Sequence, residues 1–269
     1  MSRKIAVIGV GNMAKSIISG ILNSSMDFEC FNLFDVNPEQ YRNILSDKVT
    51  AKASIFEAVT ESDTIILSVK PQNFPEVLSE IIKVPNSSEK LYISIGAGVT
   101  VSYLTDTLKT NNIVRVLPNL PMLISKGVSV ICYNDFVKKS DFDFVVDIFE
   151  SSGSVIKIDE KDMNKTIGIT SSSPAYVFKF IKAICDGAQA QGINNDELIT
   201  TVCDVIIGSA ELIKCQQGCS PSDMIKAVAS KGGTTEKALE VLDNNNFEEV
   251  IARAMMACTQ RADELGKIK

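Results

Sequence analysis

Residues 5–14, I-A-V-I-G-V-G-N-M-A, restrict the fold more than any other stretch of the chain. An apolar run of strand length meets two glycines and passes at once into helical periodicity. Gly9 permits a tight turn, Gly11 lets a pyrophosphate approach the backbone, and Ala14 lets the helix pack closely on the strand. The first N–H groups of that helix then face the anion. A G-x-G pattern alone is weak, but here the strand before it and the helix after it are the ones it requires. Ile8, Gly9, Gly11, Asn12 and Met13 are therefore expected to line a dinucleotide site. The other reading is a tight turn with no ligand.

The alternation continues down the chain. Strand-like runs fall at 5–10, 31–34, 64–69, 91–95, 113–117, 128–132 and 154–158. Helical patterns fall between them at 13–22, 38–45, 55–61, 74–82, 101–108 and 142–150. Several of the strands are apolar throughout, as strands covered on both faces of a parallel sheet are. This predicts an α/β fold with an N-terminal Rossmann-type doubly wound sheet over 1–160. Beyond it only helical periodicity is left, at 175–191, 196–216, 222–229, 234–242 and 247–265. Pro174 and Pro221 stand where helices begin, a position at which a missing N–H costs little. Residues 202–213, V-C-D-V-I-I-G-S-A-E-L-I, are apolar around most of the helix. Such a helix needs burial on several sides, so the all-helical region 161–269 is expected to self-associate.

Composition narrows the function. The net charge of -6, without blocks of like charge, argues against nucleic acid and anionic membrane as partners. No apolar run is long enough to span a bilayer, and the first residues enter a strand directly, so a cytoplasmic location is expected. The chain has no histidine, which excludes a catalytic His, a His-bearing metal site and Ser-His or Cys-His dyads. The seven cysteines are scattered and read as small apolar core residues, so no metal site is expected.

Asp35 ends the second strand in F-N-L-F-D-V-N-P. An acid there accepts hydrogen bonds from the adenosine ribose and repels a 2′-phosphate, which favours NADH over NADPH. Alternatively Asp35 caps the helix begun by Pro38, and Arg42 could still meet a 2′-phosphate. Two further strand ends belong to the same groove, because ligands of open α/β sheets sit at the carboxyl ends of strands. They carry Ser68, Val69, Lys70 and Pro71 in one case and Gly96 and Ala97 in the other. Lys70 reads equally as a ligand contact or a solvated side chain. Near the C-terminus, S-K-G-G-T-T-E (230–236) sets two glycines and two threonines before a helix. It reads as an anion site of helix-start N–H groups, or as a plain capped helix with Ser230 or Thr234 as N-cap and Glu236 in its first turn.

In order along the chain, G-V-G-N-M-A (9–14), S-V-K-P-Q (68–72), S-I-G-A-G-V (94–99), R-V-L-P-N-L-P (115–121), S-S-S-P-A-Y-V-F (171–178) and S-K-G-G-T-T (230–235) together resemble the pyrroline-5-carboxylate reductase family. The resemblance runs nearly end to end. It implies hydride transfer from NADH or NADPH to the C=N carbon of a cyclic imino acid, giving proline. It also implies helical domains paired from two chains, and it adds Asn119 to the coenzyme set. Ser230, Gly232, Gly233 and Thr234 would bind the substrate, with Thr235 beside the ring nitrogen as donor or orienter. A protonated imine accepts hydride without a strong acid from the protein, so the missing histidine fits this chemistry. Ser171 and Ser173 replace two glycines of the family pattern, Lys231 replaces a proline, and an asparagine often found near the adenosine ribose falls at Ile55. These departures motivate a second reading, a non-catalytic or altered-substrate paralogue on the same scaffold. Lys165 suggests a 3-hydroxyacid dehydrogenase, but the asparagine expected a turn later is missing from K-T-I-G-I.

Overall fold

A computed structural model describes residues 2–216 and 218–267. Its centre is an eight-stranded sheet of order β3-β2-β1-β4-β5-β6-β7-β8. The strands are β1 (Lys4–Ile8), β2 (Cys30–Phe34), β3 (Val49–Ala51), β4 (Thr64–Leu67), β5 (Leu91–Ser94), β6 (Ile113–Leu117), β7 (Gly127–Tyr133) and β8 (Gly153–Lys157). From β3 to β6 every pair is parallel; β7 runs antiparallel to β6, and β8 parallel to β7. The helices around it are α1 (Asn12–Leu22), α2 (Ile55–Thr60), α3 (Phe74–Ile81), α4 (Val101–Leu108), α5 (Lys139–Glu150) and α6 (Glu160–Thr166). Because strand side chains alternate between faces, Ala6 and Ile8 pack with Ile65 and Leu67 under α2, α3 and α4. Ile5, Val7 and Ile66 pack on the other face with Ile17, Ile18 and Ile21 of α1 and Val145 and Ile148 of α5. Covering both faces is why these strands read as unbroken apolar runs.

Each expected strand is present, but β3 was not expected. The helix expected over 38–45 is instead two 3-10 turns, Pro38–Gln40 and Arg42–Ile44. The chain there reverses through the Ser46–Val49 bridge to enter β3. The Asn37 side chain caps the first turn by accepting from the Glu39 N–H. α6 was also unforeseen, since E-K-D-M-N-K-T shows no apolar stripe.

The chain divides into two compact units, Met1–Pro174 with Met255–Lys269, and Ala175–Ala254. The sequence placed the division at 160; α6 and the turns after it lie within the first unit. Residues 175–254 hold most of α7 (Ser173–Ala190), all of α8 (Leu198–Cys215), α9 (Pro221–Val228) and α10 (Thr234–Asn244), and the start of α11 (Phe247–Leu265). Ser220 opens α9 with a capping box to Asp223, and Pro221 takes its first position. Ile199, Val205 and Ile207 of α8 remain more than half exposed in the single chain. Among the described residues no helix is long and apolar enough to cross a membrane.

Asn119, just past β6, is buried and bonded at both ends of its amide. Its Oδ1 accepts from the Val128 N–H at 2.8 Å, and its Nδ2 donates to the Thr170 carbonyl at 3.1 Å. It thus ties the exit of β6 to β7 and to the turn before α7. Replacing Asn119 by Ala strands a buried N–H and a buried carbonyl, and a loss of about 2 kcal/mol is expected. A wild-type urea midpoint for Asn119→Ala would contradict this.

Candidate active site

The strand order turns back between β1 and β4, so a crevice opens at their carboxyl ends. There the structure has a groove of about 570 Å³ lined by Ile8, Gly9, Gly11, Asp35, Ser68, Val69 and Lys70 of the sequence-expected set. Gly9 has φ +87° and donates its N–H to the Phe34 carbonyl at 2.8 Å. A Cβ on it would stand 2.8 Å from Val69 Cγ1 and 2.9 Å from the Ser68 carbonyl oxygen. Gly9 therefore presses β1, β2 and β4 together at their ends. Gly11 is different. It is the N-cap of α1 with ordinary φ of -74°, and a Cβ on it would meet nothing within 4 Å. The space before the helix start is open, as a pyrophosphate cradle requires. Asn12 and Met13 form the first turn of α1 beside it.

Both carboxylate oxygens of Asp35 are engaged. Oδ2 accepts from the Val10 N–H at 2.7 Å and Oδ1 from the Asn37 N–H at 2.8 Å. The capping role considered for Asp35 belongs to Asn37. Arg42 is paired with Glu39 at 2.7 Å. A cation that the sequence reading passed over lies nearer the groove: Lys15 Nζ donates at 2.9 Å to Oε1 of Gln40, a groove residue. Lys15 directly follows the glycine motif, the one signal that could have marked it. Ala53, Ser54, Ile55 and Phe56 complete the wall on the Asp35 side. Ile55 stands where the family asparagine near the adenosine ribose falls; Ala53, Ser54 and Phe56 were missed because β3, which precedes them, was missed.

The remaining first-unit candidates lie outside this lining. Pro71 begins a 3-10 turn after β4. Gly96 lies against the Phe74 ring, and Ala97 lines a separate hollow with Ser172, Cys258 and Ala262. Asn119 is turned into the fold. The serines in place of the family glycines are accommodated locally. Ser171 Oγ donates to the Pro118 carbonyl at 3.3 Å, and Ser173 Oγ to the Ile169 carbonyl at 2.6 Å. Burial pushes the Cys132 thiol up to about 12, which keeps it an inert core group. Among the described residues no cluster of three Cys, Asp or Glu could hold a metal ion.

Ser230, Lys231, Gly232, Gly233, Thr234 and Thr235 belong to the second unit. Gly233 donates to the Ser230 carbonyl at 2.9 Å and is the N-cap of α10, with no side-chain cap. Neither Ser230 nor Thr234 takes that role. Gly232 has φ +74° and donates its N–H to Oε2 of Glu236 at 2.7 Å. The Glu236 carboxylate thus already occupies one N–H of this turn. Thr235 is half-buried and Lys231 is exposed.

Comparisons with known proteins agree along the whole chain. A family model described as pyrroline-5-carboxylate reductase dimerisation matches residues 160–265, and one described as NADP oxidoreductase coenzyme F420-dependent matches 4–98. Pyrroline-5-carboxylate reductase of Vibrio alginolyticus is 32% identical over 99% of this chain and 98% of its own. That of Escherichia coli (strain K12) is 32% identical over 99% and 100%. The chain belongs to the pyrroline-5-carboxylate reductase family. Solved structures of the family superpose closely. The Streptococcus pyogenes enzyme gives a TM-score of 0.89 at 27% identity, covering 98% of this chain and 99% of its own. The Plasmodium falciparum enzyme, solved with NADP bound, gives 0.88 at 27%, covering 98% of both chains. A reductive aminase of Aspergillus terreus shares the fold at a TM-score of 0.63 and 11% identity.

The two glycines of the family's first motif make opposite predictions. A Cβ at Gly11 meets no protein atom within 4 Å, so Gly11→Val should fold with a melting temperature near that of the wild type. Its branched side chain fills the cradle, and NADH affinity should fall about 100-fold. Gly9→Val should lose stability by about 3 kcal/mol or more, from both backbone strain and overpacking. Thermal melts and fluorescence titration with NADH check both, and a Gly11→Val variant with wild-type affinity would contradict the assignment of the groove.

Proposed function

We propose that this chain reduces 1-pyrroline-5-carboxylate to L-proline with NADH or NADPH, as the final step of proline synthesis in the cytoplasm. The observation that carries the reading is the 32% identity to pyrroline-5-carboxylate reductases over 99% of the chain, joined to a dinucleotide groove whose Gly11 cradle is open. NADH or NADPH, when bound, supplies the hydride. The backbone at Gly11, Asn12 and Met13 receives the pyrophosphate, with Asp35 towards the adenosine ribose. The other half of the dinucleotide then runs towards the ends of β4 and β5, where Ser68, Val69, Lys70, Pro71, Gly96 and Ala97 lie. This assignment follows from the strand order, because β2 and β4 flank β1 on opposite sides.

In the second unit, N–H groups of the 230–235 turn hold the substrate carboxylate, and the Thr235 hydroxyl orients the ring nitrogen. Ring protonation occurs in solution, since the imine nitrogen is itself basic. The protein's work is alignment of the imine carbon with the hydride donor. The domain reading is a coenzyme domain over 1–160 and a substrate and dimerisation domain over 161–269. The exposed apolar side chains of α8 support pairing of two such regions. Asp35 supports a preference for NADH, since its charge opposes a 2′-phosphate. The Lys15 charge, held by Gln40, works in the other direction but carries only one bond to the groove wall.

An absorbance assay at 340 nm with pyrroline-5-carboxylate, run with NADH and NADPH in parallel, tests the reading. Imine-dependent oxidation is expected, with kcat/KM about tenfold higher for NADH. No oxidation with either coenzyme would overturn the reductase reading in favour of a nucleotide-binding paralogue, while a higher value for NADPH would overturn the NADH preference alone. Thr235→Ala should lower kcat/KM for the imine about tenfold, roughly 1.4 kcal/mol. Thr235→Val, which keeps the shape, should fall equally if the hydroxyl is what acts.

A further inference from the structure

One charged group is almost wholly buried. Arg115 stands on β6, opposite Cys132 of β7, and is 1% exposed. Its Nη2 donates to Asn164 Oδ1 at 2.6 Å, and its Nη1 lies 3.6 Å from Glu160 Oε1. Glu160 and Asn164 are one turn apart on α6, so both reach the same guanidinium. The Arg115 Nε is buried without a hydrogen-bond partner among the described residues. A guanidinium buried in this way is a poor device for stability alone, because well-packed apolar residues often do as well or better.

What the two partners do next is more informative. Glu160 Oε1 also accepts from the Val101 N–H at 2.6 Å, at the first residue of α4. That residue directly follows the 94–100 turn. Asn164 Nδ2 donates to Asp263 Oδ1 of α11 at 2.7 Å. The neighbouring Ala262 is where α11 meets the same turn. A Cβ on Gly98 would stand 2.4 Å from the Ala262 carbonyl oxygen, and one on Gly266 would stand 2.6 Å from the Gly98 carbonyl oxygen. Backbone touches backbone there, and Gly98 holds φ +80°. On the side facing α3, Gly96 lies against Phe74. Arg115 is therefore linked to two of the three elements around the 96–98 turn, to α4 through Glu160 and to α11 through Asn164 and Asp263.

We infer that Arg115 is a positioning residue for the reaction, fixing the 96–98 turn through Glu160 to α4 and through Asn164 and Asp263 to α11. The inference rests on the proposed reading that this turn, at the end of β5, borders the hydride-donating half of the coenzyme. Arg115 touches neither coenzyme nor substrate. It sets how far the turn extends from the sheet, and so the distance over which hydride moves. A displacement of about 1 Å at such a point lowers rates by up to about 100-fold without weakening binding.

The test uses the exposed end of the relay, where substitution leaves the core intact. Asp263→Ala removes the acceptor for Asn164; Asp263→Asn keeps a side-chain oxygen to accept the same bond. The single-turnover rate of hydride transfer is measured by stopped flow at saturating imine and coenzyme, with coenzyme Kd and melting temperature measured alongside. Wild-type turnover with pyrroline-5-carboxylate is established first, and its absence would count against the reductase reading rather than against the relay. Asp263→Ala should slow the hydride step about tenfold, with coenzyme Kd within about twofold of wild type. Asp263→Asn should stay within about twofold in both. Arg115→Lys, whose ammonium cannot span both partners, should follow the alanine variant. A wild-type hydride rate in Asp263→Ala would overturn the inference. So would equal losses in the Ala and Asn variants, or a loss that appears in coenzyme Kd alone.

Discussion

The coenzyme end of this protein depends on how closely the chain can turn as it leaves β1. Gly9 gives its N–H to the Phe34 carbonyl of β2 while its α-carbon rests on Ser68 and Val69, just past β4. The next N–H, that of Val10, goes to the Asp35 carboxylate. These contacts join the exits of the three central strands within two residues. They also place Gly11 at the head of α1 with clear space before it. A side chain at Gly9 would separate the strands, and the crevice between β1 and β4 would lose its shape. Asp35 therefore has a structural role alongside any contact with ribose, and the two are compatible because each carboxylate oxygen has a second lone pair.

A chain without histidine suits a substrate that makes no large demand for a proton donor. A cyclic imine meets this condition, because its nitrogen carries its own proton. The residues proposed for function are accordingly those that hold and align: backbone N–H groups at two helix starts, one carboxylate and one threonine hydroxyl. The buried Arg115 network belongs to the same design, since it acts on the position of a turn and not on the electrons that move. The residue inventory is thus compatible with the reaction class that family membership gives.

Much of the fold was legible because both faces of the sheet are covered, which turns the central strands into unbroken apolar runs. β3 was not legible: it has three residues, V-T-A, with two exposed. That omission hid Ala53, Ser54 and Phe56 of the groove wall and made 38–45 look like one helix. α6 was hidden because its polar residues point to partners, Glu160 and Asn164 to Arg115, that no periodicity reveals. Asn119 stood in a recognisable motif, but the two bonds that occupy its amide come from residues 9 and 51 positions away. The 230–236 turn was legible as a helix start. Its cap was not, since Glu236 reaches back to Gly232 in place of a Ser or Thr acting as N-cap.

The central claim is that one hydride passes directly from coenzyme to imine carbon. The most direct test is a turnover with NADH deuterated at the transferable C4 position, followed by mass spectrometry of the proline formed. The account predicts one deuterium per proline, on the ring carbon that was doubly bonded to nitrogen. Proline lacking deuterium, or no proline at all while the coenzyme remains bound, would contradict it.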